Sequence, residues 1–445
     1  MNRARHPMSW SCCASLILLF TLALPPAVHA QDDAGPPPLV DTTTTHPDKY
    51  ANLYQGQFTP GAGFDIIRTE RGTLNISVYG LFRYINQLPG EQHFTDHLGR
   101  DRVVNTRNDL NWHRTMIWLT GYFYDPKFRY NITAWSLGAT QQTLLFGNLR
   151  YLMSERMTFG VGMAPNLTNR SMQGSWPFWA ASDRQMGEEY LRGGFSSAFW
   201  ITGKAARGFF YTTSVNNNIS QLGVTASNDT RDLAYSASIW WQPTTGEFGP
   251  RNAFGDLEHH EKLATQFGVS TAQSREGRYA ALSSGPNATQ LKISDGVNVF
   301  DAGALADTVT VQKLTYQVLS FDAGAKYHGF SIQTEFSYRV LSDFAATGPL
   351  PVSSLRDRGG FAEAMQMVVP QKLGLYVVGS YLWDDFDRKP WELGGGASFY
   401  PYGRRNWRLN LHVLRVMRTP TSSTFGYYTA GQSGTTVSLG TDILL

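Results

Sequence analysis

Residues 72–85 read GTLNISVYGLFRYI. Taken alternately, they form two strings. Leu74, Ile76, Val78, Gly80, Phe82 and Tyr84 make one, which is largely apolar. Asn75, Ser77, Tyr79, Leu81 and Arg83 make the other, which is mostly polar. A β-strand sends successive side chains to opposite faces, so this stretch predicts a strand with one greasy and one wet face. The greasy face needs either a protein core or lipid, and the rest of the chain decides which.

Composition favours lipid. The chain has 445 residues, of which 13% are aromatic, 43 are Gly and only 16% are charged. An ordinary soluble domain carries about 25% charged residues. Yet the mean hydropathy is −0.28, too polar for a bundle of membrane helices. A transmembrane β-barrel reconciles the two, because alternating apolar and polar residues cancel in any window average.

The N-terminus predicts an envelope address. Residues 1–30, MNRARHPMSWSCCASLILLFTLALPPAVHA, combine basic Arg3 and Arg5, an apolar run from Leu16 to Leu24, and Val28 and Ala30 at the positions a signal-peptide cleavage site requires. The apolar run is too short to span a bilayer as a helix, which takes about 20 residues. Both cysteines, Cys12 and Cys13, fall inside this expected leader, ahead of its apolar run. That position argues against a lipid-anchored cysteine, and the mature chain has no disulfide or thiolate chemistry. The leader also holds two of the 38 Lys and Arg, leaving the rest nearly balanced by 35 acids. Near-neutrality gives no case for nucleic-acid binding.

Residues 31–60 are rich in Pro and Thr without periodicity and predict a disordered periplasmic lead-in. From there to residue 445 the chain predicts an outer-membrane barrel of about sixteen antiparallel strands. They run over 73–85, 113–123, 128–138, 143–152, 157–163, 193–202, 208–218, 233–241, 262–271, 310–325, 328–340, 358–369, 372–383, 391–400, 406–416 and 434–445. The connections alternate in length. Those at 86–112, 164–192, 219–232, 272–309, 341–357 and 417–433 are mostly long, whereas YDPK (124–127), SER (154–156), KAAR (204–207) and PQK (370–372) are short. Long loops outside and short turns inside are the outer-membrane rule, with both termini periplasmic. One connection breaks it. Residues 242–261, QPTTGEFGPRNAFGDLEHHE, form either an unusual periplasmic loop or a missed strand pair.

The last strand, TTVSLGTDILL, sets Val437, Leu439, Thr441, Ile443 and Leu445 against Thr436, Ser438, Gly440 and Asp442. FSIQTEFSYR (330–339) and NWRLNLHV (406–413) alternate in the same way. So many greasy faces cannot meet one soluble core while their reverse sides stay this polar. Lipid is the expected partner.

Several stretches resemble a known family. NDLNWHRTMIWLTGYFYDPKFRYNITAW (108–135) is similar to the second and third strands of the phosphate-selective porins, the O and P porins. LTNRSMQGSWPFWAASDRQMGEEYLRGGF (167–195) through NNNISQLGV (216–224) resembles the following loop and strands, and TPTSSTFGYYTAGQSG (419–434) the closing segment. The resemblance covers most of residues 60–445. It implies a sixteen-stranded barrel, a homotrimer, and one long loop folded into the pore. Those porins carry a ladder of arginines and a cluster of lysines at the constriction. Here residues 164–192 hold Arg170, Arg184 and Arg192, no Lys, and also Asp183, Glu188 and Glu189. Phosphate selectivity is therefore not carried over.

Strand parity nominates a lumen lining. Arg83, Arg129, Arg150, Arg339 and Arg408 fall on wet faces, as do Asp322, Glu335, Glu363 and Asp442. They set a weak anion preference, or they pair across neighbouring strands and merely solvate the wall. Within the long loop, Arg170, Asp183, Arg184, Glu188 and Glu189 are constriction candidates. Trp176 and Trp179 of SWPFW suit either an anchor for an in-folded loop or an exposed adhesive tip. Tyr122, Phe123, Tyr124, Trp240, Trp241, Tyr400 and Tyr402 sit near strand ends and predict aromatic girdles. DLEHHEK (256–262) offers Glu258, His259, His260 and Glu261, yet adjacent His on a strand would face opposite ways and no third metal ligand is evident, so a solvated turn is expected. No nucleophile motif stands out, and neither an enzymatic role nor a cofactor or metal is expected. The expected function is an outer-membrane porin of a Gram-negative envelope, passing small hydrophilic solutes or anions. The alternative is a structural or adhesive barrel without transport.

Overall fold

The computed structural model describes residues 60–138, 142–173, 176–219, 232–249, 254–278, 291–422 and 426–445. The expected leader, 1–30, and all of the expected lead-in except Pro60 lie outside the described residues.

The strands are β1 (Phe64–Thr69), β2 (Gly72–Leu88), β3 (Gln92–Thr95), β4 (Asp101–Val104), β5 (Asn108–Phe123), β6 (Asp125–Leu137), β7 (Gln142–Ser154), β8 (Met157–Pro165), β9 (Phe195–Ala206), β10 (Phe209–Asn216), β11 (Ala234–Trp241), β12 (Ala264–Gly277), β13 (Val311–Tyr327), β14 (Phe330–Ala346), β15 (Ser354–Val369), β16 (Leu373–Trp383), β17 (Trp391–Phe399), β18 (Trp407–Met417) and β19 (Gly434–Leu444). β2 and β5–β19 form a ring of sixteen, each antiparallel to its neighbours in the chain. The ring closes where β19 pairs with β2, with Leu439 opposite Tyr84 and Leu444 opposite Tyr79. Every strand expected from the sequence is present, with ends shifted by a few residues.

The opening stretch shows how the fold treats its two faces. Along β2 the wet string, Asn75, Ser77, Tyr79, Leu81 and Arg83, is buried, whereas Phe82 on the greasy string is exposed. β14 alternates without a break over ten residues. Ser331, Gln333, Glu335, Ser337 and Arg339 are buried, and Phe330, Ile332, Phe336 and Tyr338 are exposed. A soluble protein does the reverse. An inside-out surface of this kind is stable only in hydrocarbon, and only a closed barrel there pairs all its backbone polar groups.

Connections at one end of the barrel are long, with a small β3–β4 hairpin in the first of them. Those at the other end are short, save for 242–263. Among its described residues that connection holds no strand pair and is irregular. β1 was not foreseen. It pairs with β2 at Gly72–Ile76, beyond the point where β19 stops at Tyr79. β1 thus covers the stretch of β2 edge that β19 leaves open, and an open edge is costly. Two of the expected girdle rings are corrected. Trp240 and Tyr400 are buried, whereas Phe123, Tyr124, Trp241 and Tyr402 are exposed. Trp240 lies between exposed Ile239 and Trp241, so strand parity sends it inward.

The outward face predicts its own test. Leu439 sits at the centre of β19 on the exposed side. Leu439→Arg should destabilise the barrel by roughly 2–4 kcal/mol, the cost of a basic side chain at the bilayer midplane, while Leu439→Phe should change little. Denaturant unfolding in lipid vesicles measures both, and an unaffected Arg variant would mean that this face does not meet hydrocarbon.

Candidate functional site

β8 ends at Pro165 and β9 begins at Phe195. The segment between them, 166–194, does not stand out from the barrel. It crosses the interior, with a 3-10 turn at Arg170–Gln173 and a short helix, α1, at Met186–Leu191. Its described residues are buried except for half-buried Phe178.

The wall holds this segment from many sides. The Leu167 amide donates to Ser236 Oγ on β11 at 3.0 Å, and Ser320 Oγ on β13 donates to the Thr168 carbonyl at 2.6 Å. The Arg170 amide donates to Glu335 on β14 at 2.9 Å. Gln185 donates to Glu363 on β15 at 2.8 Å, the Met186 amide to Glu392 on β17 at 2.8 Å, and the Tyr190 hydroxyl to Asp357 on β15 at 3.1 Å. Further round the wall, Arg408 of β18 donates to the carbonyls of Trp179 and Ala181. Arg83 of β2 and Arg114 of β5 both reach the Asp183 carboxylate, at 3.2 and 2.6 Å. Polar side chains that strand parity turns inward thus satisfy backbone groups which an irregular buried segment would otherwise leave unpaired.

The pore-lining candidates have definite partners. Arg83, Arg408, Glu335 and Glu363 anchor the segment, as above. Asp442 accepts from Arg408 at 2.7 Å and from Arg405 at 2.5 Å. Arg339 grips Asp357 through two nitrogens, at 3.0 and 2.7 Å, and lies 4.3 Å from the Tyr190 ring centre. Arg129 and Arg150 face each other across β6 and β7, and Arg129 donates to the Pro126 carbonyl at 2.9 Å. A bare count of arginines against carboxylates therefore overstates the free charge of the lining, because most of these groups are paired.

Within the segment, Arg184 pairs with Glu188 at 2.8 Å and Arg192 with Glu189 at 2.8 Å. Arg170 lies 4.0 Å from Asp322, whose carboxylate occupies the space that a side chain at Gly268 would fill. Trp176 packs edge-on against Tyr79 at 4.8 Å, with the Arg114 guanidinium 5.5 Å away, and Trp179 lies 4.6 Å from that of Arg184. Both indoles are buried, so neither is an exposed tip.

Sequence reasoning missed Arg114, Asp357, Glu392, Arg405, Tyr190, Tyr427 and Tyr428. Glu392 lay on inward parity and could have been found, whereas Asp357 fell in the expected connection 341–357 and joins a strand only because β15 begins earlier, at Ser354. Arg114 could not, because the β2–β5 register slips by one residue at His113, which resets the alternation. Tyr427 and Tyr428 come from the last long connection. Tyr427 accepts from the Ser182 amide at 3.1 Å, and Tyr428 donates to Glu392 at 2.6 Å.

The connection 242–263 enters from the opposite end and meets the inner segment. The Phe254 amide donates to the Phe178 carbonyl at 2.8 Å. The Arg170 guanidinium lies 5.2 Å from the ring of Phe248 and 4.9 Å from that of Phe254, and Phe254 stacks on Phe361. Lys326 donates to the Phe248 carbonyl at 2.9 Å. The expected solvated turn at 256–262 is exposed at Glu258, Glu261 and Lys262, but Asp256 departs from it. Asp256 is buried, and it accepts from the Gly329 amide at 2.8 Å and from the His260 ring.

No known protein family matches the chain, and no curated protein does. Solved structures do. A loop-deletion mutant of OmpT, an outer membrane protein of Vibrio cholerae, aligns with TM-score 0.51 at 11% identity, over 84% of this chain and 99% of that one. OmpT expressed in the outer membrane gives 0.50 at 10% identity over 85% and 99%. A trimer form of in-vitro folded OmpT gives 0.50 at 10% identity over 84% and 99%. At such identities the likeness speaks to the fold alone: this chain has the fold of outer-membrane β-barrels. The similarity to phosphate-selective porins stays a resemblance.

Glu188 gives the inner segment a pH dependence. Burial raises its carboxyl to about 7, against the opposing charge of Arg184. A carboxyl whose pKa is raised on packing contributes stability below its ordinary value, near 4.5, and that contribution is lost as pH rises through about 7. The segment should therefore loosen above pH 7. Quenching of Trp176 and Trp179 fluorescence should increase across that window, and Glu188→Gln should flatten the change.

Proposed function

We propose that the protein is an outer-membrane porin, with its termini in the periplasm and a leader removed at about residue 30. It passes small hydrophilic solutes through a lumen narrowed by segment 166–194, and it assembles as a homotrimer surrounded by outer-membrane lipid. The observation that carries this reading is the inward-folded segment itself. A barrel that only scaffolds the membrane has no need of a chain segment laid across its interior and fastened by wall charges. A barrel of sixteen strands is wide enough for a channel, and a segment inside it sets the bore and the sign of the charge at the narrowest point.

Anion preference is the finer part of the reading, and it is weak. Two places support it. Arg83 and Arg114 share Asp183, and Arg405 and Arg408 share Asp442, so each cluster has two cations to one carboxylate. Elsewhere Arg339, Arg184 and Arg192 are matched one to one, and Glu335, Glu363 and Glu392 accept from neutral donors, so the excess is confined to these two clusters. A slight cationic excess at close quarters attracts anions, and salt screens it as the Debye length falls from about 10 Å at 0.1 M to about 3 Å at 1 M.

Planar-bilayer recording tests both parts. The purified protein should conduct, with a small reversal potential favouring anions that fades in high salt. Asp183→Asn removes the negative charge between Arg83 and Arg114 and should raise the anion-to-cation permeability ratio. A barrel that inserts and passes no current would favour the structural or adhesive reading. Cation preference in the unmodified channel would remove the selectivity claim and leave the porin.

A further inference from the structure

The connection 242–263 holds a constellation that the channel reading does not use. Asp256, Glu258 and His260 each offer one ligand atom, and the three atoms lie within 4.8 Å of one another. They fall at alternate positions of an irregular loop, so the rule that neighbouring strand residues diverge does not separate them. The loop turns through Gly255, at a φ of 80°, and His259, at 60°, which sets His260 back over Asp256. A fourth group joins them: the Glu247 carboxylate lies 3.3 Å from His260 Nε2.

Two features distinguish this arrangement from an ordinary cluster of charges. The first is how the ring is oriented. Asp256, whose side chain is fully buried, takes the His260 Nδ1 side of the ring. Asp256 is itself fixed by the amides of Gly329 and His260. The imidazole is therefore locked with Nε2 toward Glu247. A carboxylate behind Nδ1 is the usual support of a metal-binding histidine. The second is the spacing ahead of the ring. A tetrahedral ion with bonds of about 2.0–2.1 Å holds two donors about 3.3 Å apart. The His260 Nε2 and Glu247 oxygen already stand at that separation.

Charge agrees. Glu247, Asp256 and Glu258 bring three negative charges, and the fixed cation facing them is Lys326, whose Nζ is held by the Phe248 carbonyl. We propose that His260 Nε2 and the Glu247 carboxylate hold a divalent transition-metal ion, zinc being the natural probe for an imidazole and a carboxylate, with Glu258 as the neighbouring carboxylate of the cluster and Asp256 as the positioning residue behind the ring. The ion takes the place of the Nε2 proton, which leaves to water. Because Phe254 of the same connection is bonded to Phe178, a bound ion ties this connection together directly beneath the inner segment.

The test uses the full-length protein folded in detergent micelles. After incubation with zinc and gel filtration, the unmodified chain should retain close to one zinc per chain. His260→Ala should retain none, and Glu247→Gln should fall by at least tenfold in zinc affinity measured against a chromophoric chelator. His93→Ala, at a second His flanked by Asp101 and Glu91 far from this connection in sequence, should match the unmodified protein. Glu247 is half-exposed, so its substitution leaves folding intact even if His260→Ala does not fold. Failure of the unmodified protein to retain zinc, or equal retention by Glu247→Gln, overturns the proposal. Loss of zinc in His93→Ala would do so as well, by moving the site.

Discussion

Hydrocarbon cannot hydrogen-bond, and every other feature of this protein answers to that constraint. An unpaired N–H or C=O facing lipid costs several kcal/mol, so the sheet must close. Closure depends on one seam, β19 against β2, and the chain spends its last residues making it. Where β19 runs out, β1 folds back onto the remaining edge of β2. The backbone of Leu445 is fastened to Val78 in both directions, at 2.9 and 3.3 Å.

A closed wall with apolar residues outside forces the polar residues inward, where they need partners of their own. Water could supply these in an empty barrel. Here much of the demand is met by chain. Segment 166–194 brings amides and carbonyls, and the wall brings Ser, Arg and Glu side chains that match them. The pairing is mutual. Arg408 would be a buried cation without Asp442 and the carbonyls of Trp179 and Ala181, and those carbonyls would be orphaned without Arg408. Removing one member of such a buried set costs more than the set contributes, because the group left behind stays charged and desolvated. The interior is thus held as a network, and its net field is much smaller than its number of charges suggests.

The connection 242–263 extends that network toward the other mouth. Arg170 lies near Phe248 and Phe254 from this connection while its amide is bonded to Glu335 of the wall. Two segments from opposite ends of the barrel therefore meet at one residue. Anything that stiffens the lower one, by charge or by a bound ion, acts on the upper one through Arg170 and through the Phe254–Phe178 bond.

Period-two patterning determined the wall. All sixteen strands, the inside-out distribution of polarity and the alternation of long and short connections were legible without coordinates, because a strand's two faces are written residue by residue. The burial of Arg83, Arg339, Glu335 and Asp442 followed from the same parity. What the sequence could not give was partnership. Asp183 meets Arg83 and Arg114 from residues about 100 and 70 positions away, a pairing that no local period encodes. The slip at His113 hid Arg114, since one extra residue reverses every later assignment on that strand. The loop 242–263 showed only its excess length. That it folds inward, buries Asp256 and sets His260 before Glu247 depends on φ values and packing that its composition leaves open. Alternation is local and survives in a single sequence; the filling of the lumen is a long-range match of charges and amides, and only the tertiary structure decides it.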